Sequence, residues 1–158
     1  MNRIEIKKIV STTAVSTSEN EIRIFIDGCD LIDMLKEFEK PFATREKAIT
    51  IAGAYGGLPE SVATRERFLG LADRDYGDSE DKVAVLGCNC GWEGCWPFTV
   101  KITISDSTVI WSEFEQPHSE TNSAQVQWNY DGFGPFEFDK EHYLNEIGKL
   151  ACNQVSGI

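Results

Sequence analysis

Lys82-Val-Ala-Val-Leu-Gly-Cys-Asn-Cys-Gly-Trp-Glu-Gly-Cys-Trp-Pro-Phe-Thr-Val-Lys-Ile-Thr-Ile104 sets two apolar, β-branched runs on either side of a turn rich in cysteine and glycine. Such runs, bounded by turn residues, predict a hairpin. A turn over Gly91-Trp-Glu-Gly94 sets Cys90 opposite Cys95, and glycines suit its two ends. This register places Val85 against Val100 and Val83 against Ile102. Trp96, Phe98, Val100, Ile102 and Ile104 then share one apolar face, the pattern that pins a strand register. The other face carries Lys82, Ala84, Leu86, Cys88 and Cys90, with Cys95, Thr99, Lys101 and Thr103 across from them. All three cysteines therefore project from that second face, at one end of the hairpin.

A third strand follows. The turn near Ser105 to Thr108 folds Thr108–Gln116 back along the second strand, making a meander from Lys82 to Gln116. A two-residue loop would set Cys95 opposite His118. The apolar order Val109, Ile110, Trp111, Phe114 does not alternate throughout, which predicts a bulge.

Outward from this core, Ile4–Val10 and Glu21–Asp27 alternate as strands, the second with Ile22, Ile24 and Ile26 on one face. Asp30 caps a helix over Leu31–Glu39 whose stripe is Leu31, Met34, Leu35 and Phe38. Pro41 is expected to stop it. A short helix is expected between Pro59 and Gly70, an acidic exposed loop over Asp73–Asp81, and a strand over Ala124–Tyr130. Gly132 to Pro135 turns the chain and Phe136–Phe138 is extended. Asp139 caps a last helix reaching about Asn153, with Tyr143, Ile147, Leu150 and Ala151 buried. The order predicts an α+β fold: one domain over residues 1–158, a mainly antiparallel meander sheet, and two or three helices packed on it.

Composition narrows the function classes. Lys and Arg number 15 against 26 Asp and Glu, a net charge of −11. Phosphate backbones and anionic lipid surfaces repel such a chain, so nucleic acid and membrane are not expected partners. A basic protein is, through electrostatic steering, although acidity also serves solubility alone. The first residues lack the apolar stretch of a signal peptide, and no window reaches the ~18 apolar residues of a membrane span. A cytoplasmic location is expected. The five cysteines are then reduced or metal-bound rather than a disulfide framework.

Three readings of the cysteine turn stand side by side. The thiols can pack as small apolar side chains. Cys88, Cys90, Cys95 and His118 can form a tetrahedral zinc set, three soft sulfurs and an imidazole. Cys90 with Cys95 or Cys88 can form a redox pair, although no Lys or Arg flanks the turn to activate a thiolate. Trp92 at the tip, beside Glu93, is a candidate binding anchor, or equally a side chain tucked under a loop. Cys29 and Cys152 border helices and are expected to pack in the core, and His142 is expected to be solvated. Glu113 with Glu115, and Glu137 with Asp139, are paired carboxylates on solvated faces. The glycines of Thr50–Pro59 lack phosphate-loop spacing. The two histidines belong to no hydrolase triad.

Ile22–Asp33, Leu86–Pro97, Val109–Trp111, Gln116–His118 and Trp128–Asp139 together resemble a family of small bacterial proteins marked by a Cys-x-Cys-Gly-x-x-Gly-Cys-Trp-Pro hairpin. The resemblance spans most of the chain from Glu21 onward. It implies a bacterial, cytoplasmic setting and carries over no activity, substrate or catalytic residue. The expectation is a non-catalytic binding or regulatory protein, of immunity or adaptor type. A small zinc-binding domain and a thiol redox protein are the alternatives.

Overall fold

The computed structural model describes residues 1–10, 20–45, 52–71, 81–88, 97–116 and 129–150, with Cys88 described in its backbone alone. It is a mixed α+β fold built on antiparallel sheets. Its strands are β1 (Ile4–Val10), β2 (Asn20–Ile26), β3 (Cys29–Asp30), β4 (Tyr55–Gly56), β5 (Leu58–Pro59), β6 (Val83–Cys88), β7 (Phe98–Ile104), β8 (Thr108–Glu115) and β9 (Phe136–Asp139). Its described helices are α1 (Leu31–Arg45), α2 (Arg65–Phe68) and α3 (Lys140–Ile147).

Alternation makes β1 and β2. Ile4 and Ile6 are buried while Glu5 and Lys7 are exposed, and Ile22, Ile24 and Ile26 face the core. β2 pairs with β1 on one edge and with β3 and β5 on the other. The second sheet runs in the order β4-β6-β7-β8-β9. Among the described residues, two joints link the sheets. Gly57 alone separates β4, which pairs with β6, from β5, which pairs with β2. Asn2 bridges Phe138 in parallel, with Asn2 N–H donating to the Glu137 carbonyl at 2.8 Å. The pairings thus run in a closed circuit, β2-β1-Asn2-β9-β8-β7-β6-β4/β5-β2. Among the described residues, closure leaves few free strand edges, which otherwise invite association. Side chains of α3 cover part of the outer edge of β1. His142 Nε2 lies 2.9 Å from the Ile4 carbonyl, and Glu146 accepts from Ile6 N–H at 3.0 Å. His142 is therefore not simply solvated.

Several expectations need correcting. The hairpin register is displaced: Val83, not Val85, faces Val100, and a shift between Ala84 and Leu86 sets Leu86 against Phe98. The reason is that β6 is buried on both faces. Val83, Ala84, Val85 and Leu86 are all fully buried, because β6 lies between β4 and β7 and α2 packs on it. A strand apolar on both faces fixes no register by alternation. In β8 the body register, Ile102 with Trp111, agrees with a two-residue loop at Asp106-Ser107. The expected bulge is present: Glu113 has φ 54°, and Thr99 pairs with Glu115 beyond it. The bulge breaks the shared face proposed for Glu113 and Glu115. Glu115 instead meets Lys82 at 3.0 Å, and Glu113 lies 3.7 Å from Lys101.

Pro41 does not end α1, which runs on to Arg45. An interior proline costs about 3 kcal/mol in a helix. Packing offsets it: Ala43 is fully buried, the Phe38 and Phe42 rings lie 5.8 Å apart, and the Arg45 guanidinium covers Phe42 at 4.9 Å. Between Pro59 and Gly70 only Arg65–Phe68 is α-helical, capped by Thr64, whose side chain accepts from Arg67 N–H. Arg65 reaches across to the C-terminus of α3, donating to the Leu150 and Gly148 carbonyls at 2.9 and 3.0 Å. That end has no basic residue of its own, and a cation there satisfies its orphan carbonyls and dipole. Asp139 caps α3 through His142 N–H as the sequence predicts, and Tyr143, Ile147 and Leu150 are buried. Asn129 and Tyr130 lie in no strand, and residues 124–128 of the expected strand lie outside the described residues.

Candidate functional site at the glycine-rich loop

Glu39 is the one acidic side chain of α1 that faces inward, and it is fully buried. It follows Leu31 and Leu35 at four-residue intervals and precedes Ala43, so it occupies an apolar stripe. Each carboxylate oxygen has partners. Oε1 accepts from Gly53 N–H at 2.8 Å. Oε2 accepts from the Tyr55 and Tyr130 hydroxyls, both at 2.6 Å. The three donors come from the glycine-rich loop, β4 and the segment before the Gly132 turn. One carboxyl thus ties α1 to two distant stretches of chain.

The surroundings are aromatic. Tyr130 stacks on Phe38 with centroids 5.6 Å apart, and Phe98 meets Tyr55 at 5.5 Å and Tyr130 at 5.3 Å. Burial therefore raises the affinity of Glu39 for its proton, and the bonds from Gly53, Tyr130 and Tyr55 work against that rise. Burial also holds both tyrosines in the neutral form, with the Glu39 charge adding to the effect.

A second carboxylate holds the other end of the loop. Glu21, buried at the start of β2, accepts from Gly57 N–H at 2.6 Å and from Arg23 Nη1 at 3.1 Å. Arg23 is held in turn by Asp30, Nη2 to Oδ2 at 3.0 Å. Asp30 Oδ1 also caps α1, accepting from Ile32 N–H at 2.8 Å. The loop from Gly53 to Gly57 is therefore fastened at both ends by acids, one with a cationic partner and one, among the described residues, without. Its two terminal glycine N–H groups point at protein carboxylates.

This loop borders the cysteine-bearing end of the hairpin. Tyr55 pairs with Cys88 and Gly56 with Gly87 along the backbone. On the other side, Phe98 opposes Leu86, and Gln116 Nε2 donates to the Pro97 carbonyl at 2.6 Å. Of the residues expected to bind metal, Cys88 ends β6, whereas Cys90, Cys95 and His118 lie outside the described residues, as do Trp92, Glu93 and Cys152. Among the described residues, no three His, Cys, Asp or Glu side chains gather to hold a metal ion. Cys29 is exposed and free rather than packed in the core, because it follows the Asp27-Gly28 turn, whose residues both have positive φ. Trp111 is core: it is fully buried and donates to the Tyr143 hydroxyl at 3.1 Å.

The glutamate cluster escaped the sequence reading. Its signal was a Glu placed at i+4 from Leu35 and i−4 from Ala43, obscured by the expectation that Pro41 ends the helix. Comparison with protein-family models, curated proteins and solved structures found no match for this chain. Among the described residues, no helix is long and apolar enough to cross a membrane.

Proposed function

We propose that this chain is a non-catalytic binding or regulatory protein, of immunity or adaptor type, acting in the bacterial cytoplasm on a basic protein partner. The distribution of charge supports this reading. Of the acids in the described residues, Glu39 and Glu21 are turned inward to fasten the glycine-rich loop. Asp27, Asp33, Asp106, Asp131 and Glu141, among others, are exposed, on a chain whose net charge is −11. Such a surface steers a cationic partner and repels nucleic acid and anionic lipid. Trp92 and Glu93 at the cysteine turn are the proposed anchor, an aromatic contact next to a charge. Capture on the tagged chain from its host is expected to recover a stoichiometric partner of high isoelectric point at low salt. High salt and Trp92→Ala should each weaken that capture. Recovery of no stoichiometric partner at low salt would sink the reading.

A second reading is favoured by the hairpin's described flanks. Leu86 opposes Phe98, and Gln116 bonds to Pro97, so the segments leading to Cys88, Cys95 and His118 run side by side. That supports a small zinc-binding domain in which Cys88, Cys90, Cys95 and His118 supply a closed tetrahedral shell, the arrangement of structural zinc. Metal analysis and thiol titration of freshly purified, denatured protein decide it, with about one zinc per chain expected. Five free thiols without metal would leave the cysteines as packing residues. A deficit of two thiols without zinc would favour a redox pair.

A further inference from the structure

We propose that Glu39 is a proton-operated latch on the glycine-rich loop: protonated, it holds the Gly53 end of the loop against α1, and ionised, it lets that end lift.

The geometry for two states is present. In the ionised state three donors converge on the carboxylate, Gly53 N–H and the hydroxyls of Tyr55 and Tyr130. In the protonated state Oε2–H donates to one tyrosine oxygen. That tyrosine turns its own proton toward the other, whose hydroxyl sits on the same Oε2. Both states satisfy their hydrogen bonds, so the balance falls to charge burial. A fully buried carboxylate with no cation beside it among the described residues bears a desolvation penalty, and local opening to water relieves it. The closed neutral cluster bears no such cost.

Among the described residues, no neighbouring charge compensates. On α1, Lys36 is exposed, Lys40 bonds Glu37 at 2.9 Å, and Arg45 covers Phe42. On β2, Arg23 is taken by Glu21 and Asp30. Beside Tyr130 stands Asp131, exposed and of the wrong sign. Lys82, on the strand side, bonds Glu115. Among the described residues Glu39 therefore faces tyrosines and a backbone N–H alone.

The moving part is the loop. Gly53 holds φ +68° directly over Lys36, at a place where a Cβ would come within 2.6 Å of the lysine Cβ. Glycine permits that approach and, equally, release from it. β4 is two residues long, so few strand bonds resist a local opening. The sign follows from burial raising Glu39's proton affinity in the closed form. The latch is fully engaged below the ordinary glutamate range and is lost as pH rises through the higher folded value.

The inference stands apart from the partner and zinc readings and is tested on the full chain by NMR from about pH 4 to 8, a range spanning the ordinary glutamate value. The Glu39 carboxyl carbon is expected to titrate above the ordinary position of about 4.3. Between the ordinary value and that midpoint, the opening equilibrium read from Gly53 amide exchange, corrected for intrinsic rate, should rise by up to roughly tenfold per pH unit and then level off. Glu39→Gln should abolish the rise. Constant Gly53 protection through the Glu39 titration, or a rise that survives in Glu39→Gln, overturns the latch. Should Glu39→Gln fail to fold, Tyr130→Phe serves. It removes one donor from the carboxylate, so the Glu39 midpoint and the Gly53 transition should move upward together. A Gly53 transition that stays at its wild-type pH overturns the proposal.

Discussion

Glu39→Ala is expected to lower the unfolding free energy by about 3 kcal/mol, the range in which buried polar groups left without partners fall. Truncation strands three donors at once: Gly53 N–H and the hydroxyls of Tyr55 and Tyr130. Each unsatisfied buried group costs about 1–3 kcal/mol. Against that sum stands relief from burying a carboxylate with no cation beside it among the described residues, which keeps the net effect below simple addition. Chemical denaturation with a constant m-value is the measurement. Tyr55→Phe should cost at least about 1 kcal/mol less in the Glu39→Ala background than in the wild type, because the two groups share one bond. Equal costs in both backgrounds would mean that the bond contributes nothing.

The pH dependence of that difference has a definite sign. Burial raises Glu39's proton affinity in the folded chain, so its favourable contribution is complete below the unfolded value and declines as pH rises through the folded one. The penalty of Glu39→Ala is therefore largest at acid pH and shrinks toward neutrality. Glu146 has the opposite tendency. Burial works to raise it, but Lys149 and the Ile6 N–H together hold it below the usual carboxylate range. Its contribution is present above the unfolded value and lost as pH falls through the folded one. That slope is common to wild type and variant and cancels in the difference. A penalty that grows with pH would refute the assignment of Glu39 as the group responsible.

What could be read from the sequence was local. The alternation of Ile22, Ile24 and Ile26, the cap at Asp139 and the bulge in β8 each follow from a few neighbouring residues, and each is found. What could not be read depends on elements far apart in the chain. The register of β6 depends on α2 covering its second face, which turns an apparently alternating strand into one buried throughout. The continuation of α1 past Pro41 depends on Ala43 and Phe42 meeting the core. The buried acids are the clearest case. By strand alternation Glu21 belongs to the outer face with Arg23 and Phe25, and it is buried because Gly57 approaches it. Glu39 was visible only as a charge in an apolar stripe. The chemistry expected at Cys90, Cys95 and His118 lies outside the described residues, so that part of the site still rests on spacing.

Gly57→Ala is expected to cost about 3 kcal/mol, at the upper end for overpacking, because no neighbour at this joint can retreat cheaply. A Cβ on Gly57 would fall 2.4 Å from the Ile22 carbonyl oxygen, 2.8 Å from Glu21 Oε2 and 3.0 Å from Arg23 Cδ. The first contact is backbone, on the strand with which β5 pairs through Leu58. Relief requires β5 to leave β2, which opens the circuit of strands at its single-residue joint, or Glu21 to leave Gly57 N–H, which deprives that N–H of its acceptor. Gly28→Ala provides the comparison. Gly28 has φ +85° but open space around its would-be Cβ, so only backbone strain of about 1–2 kcal/mol is expected. If the closed circuit matters as a unit, Gly57→Ala should also raise amide exchange in β4 and at the β2 residues facing β5, and leave α3 protected. Equal costs for the two substitutions, or exchange that rises uniformly, would show that Gly57 is no more than a turn glycine and that the two sheets do not depend on this joint.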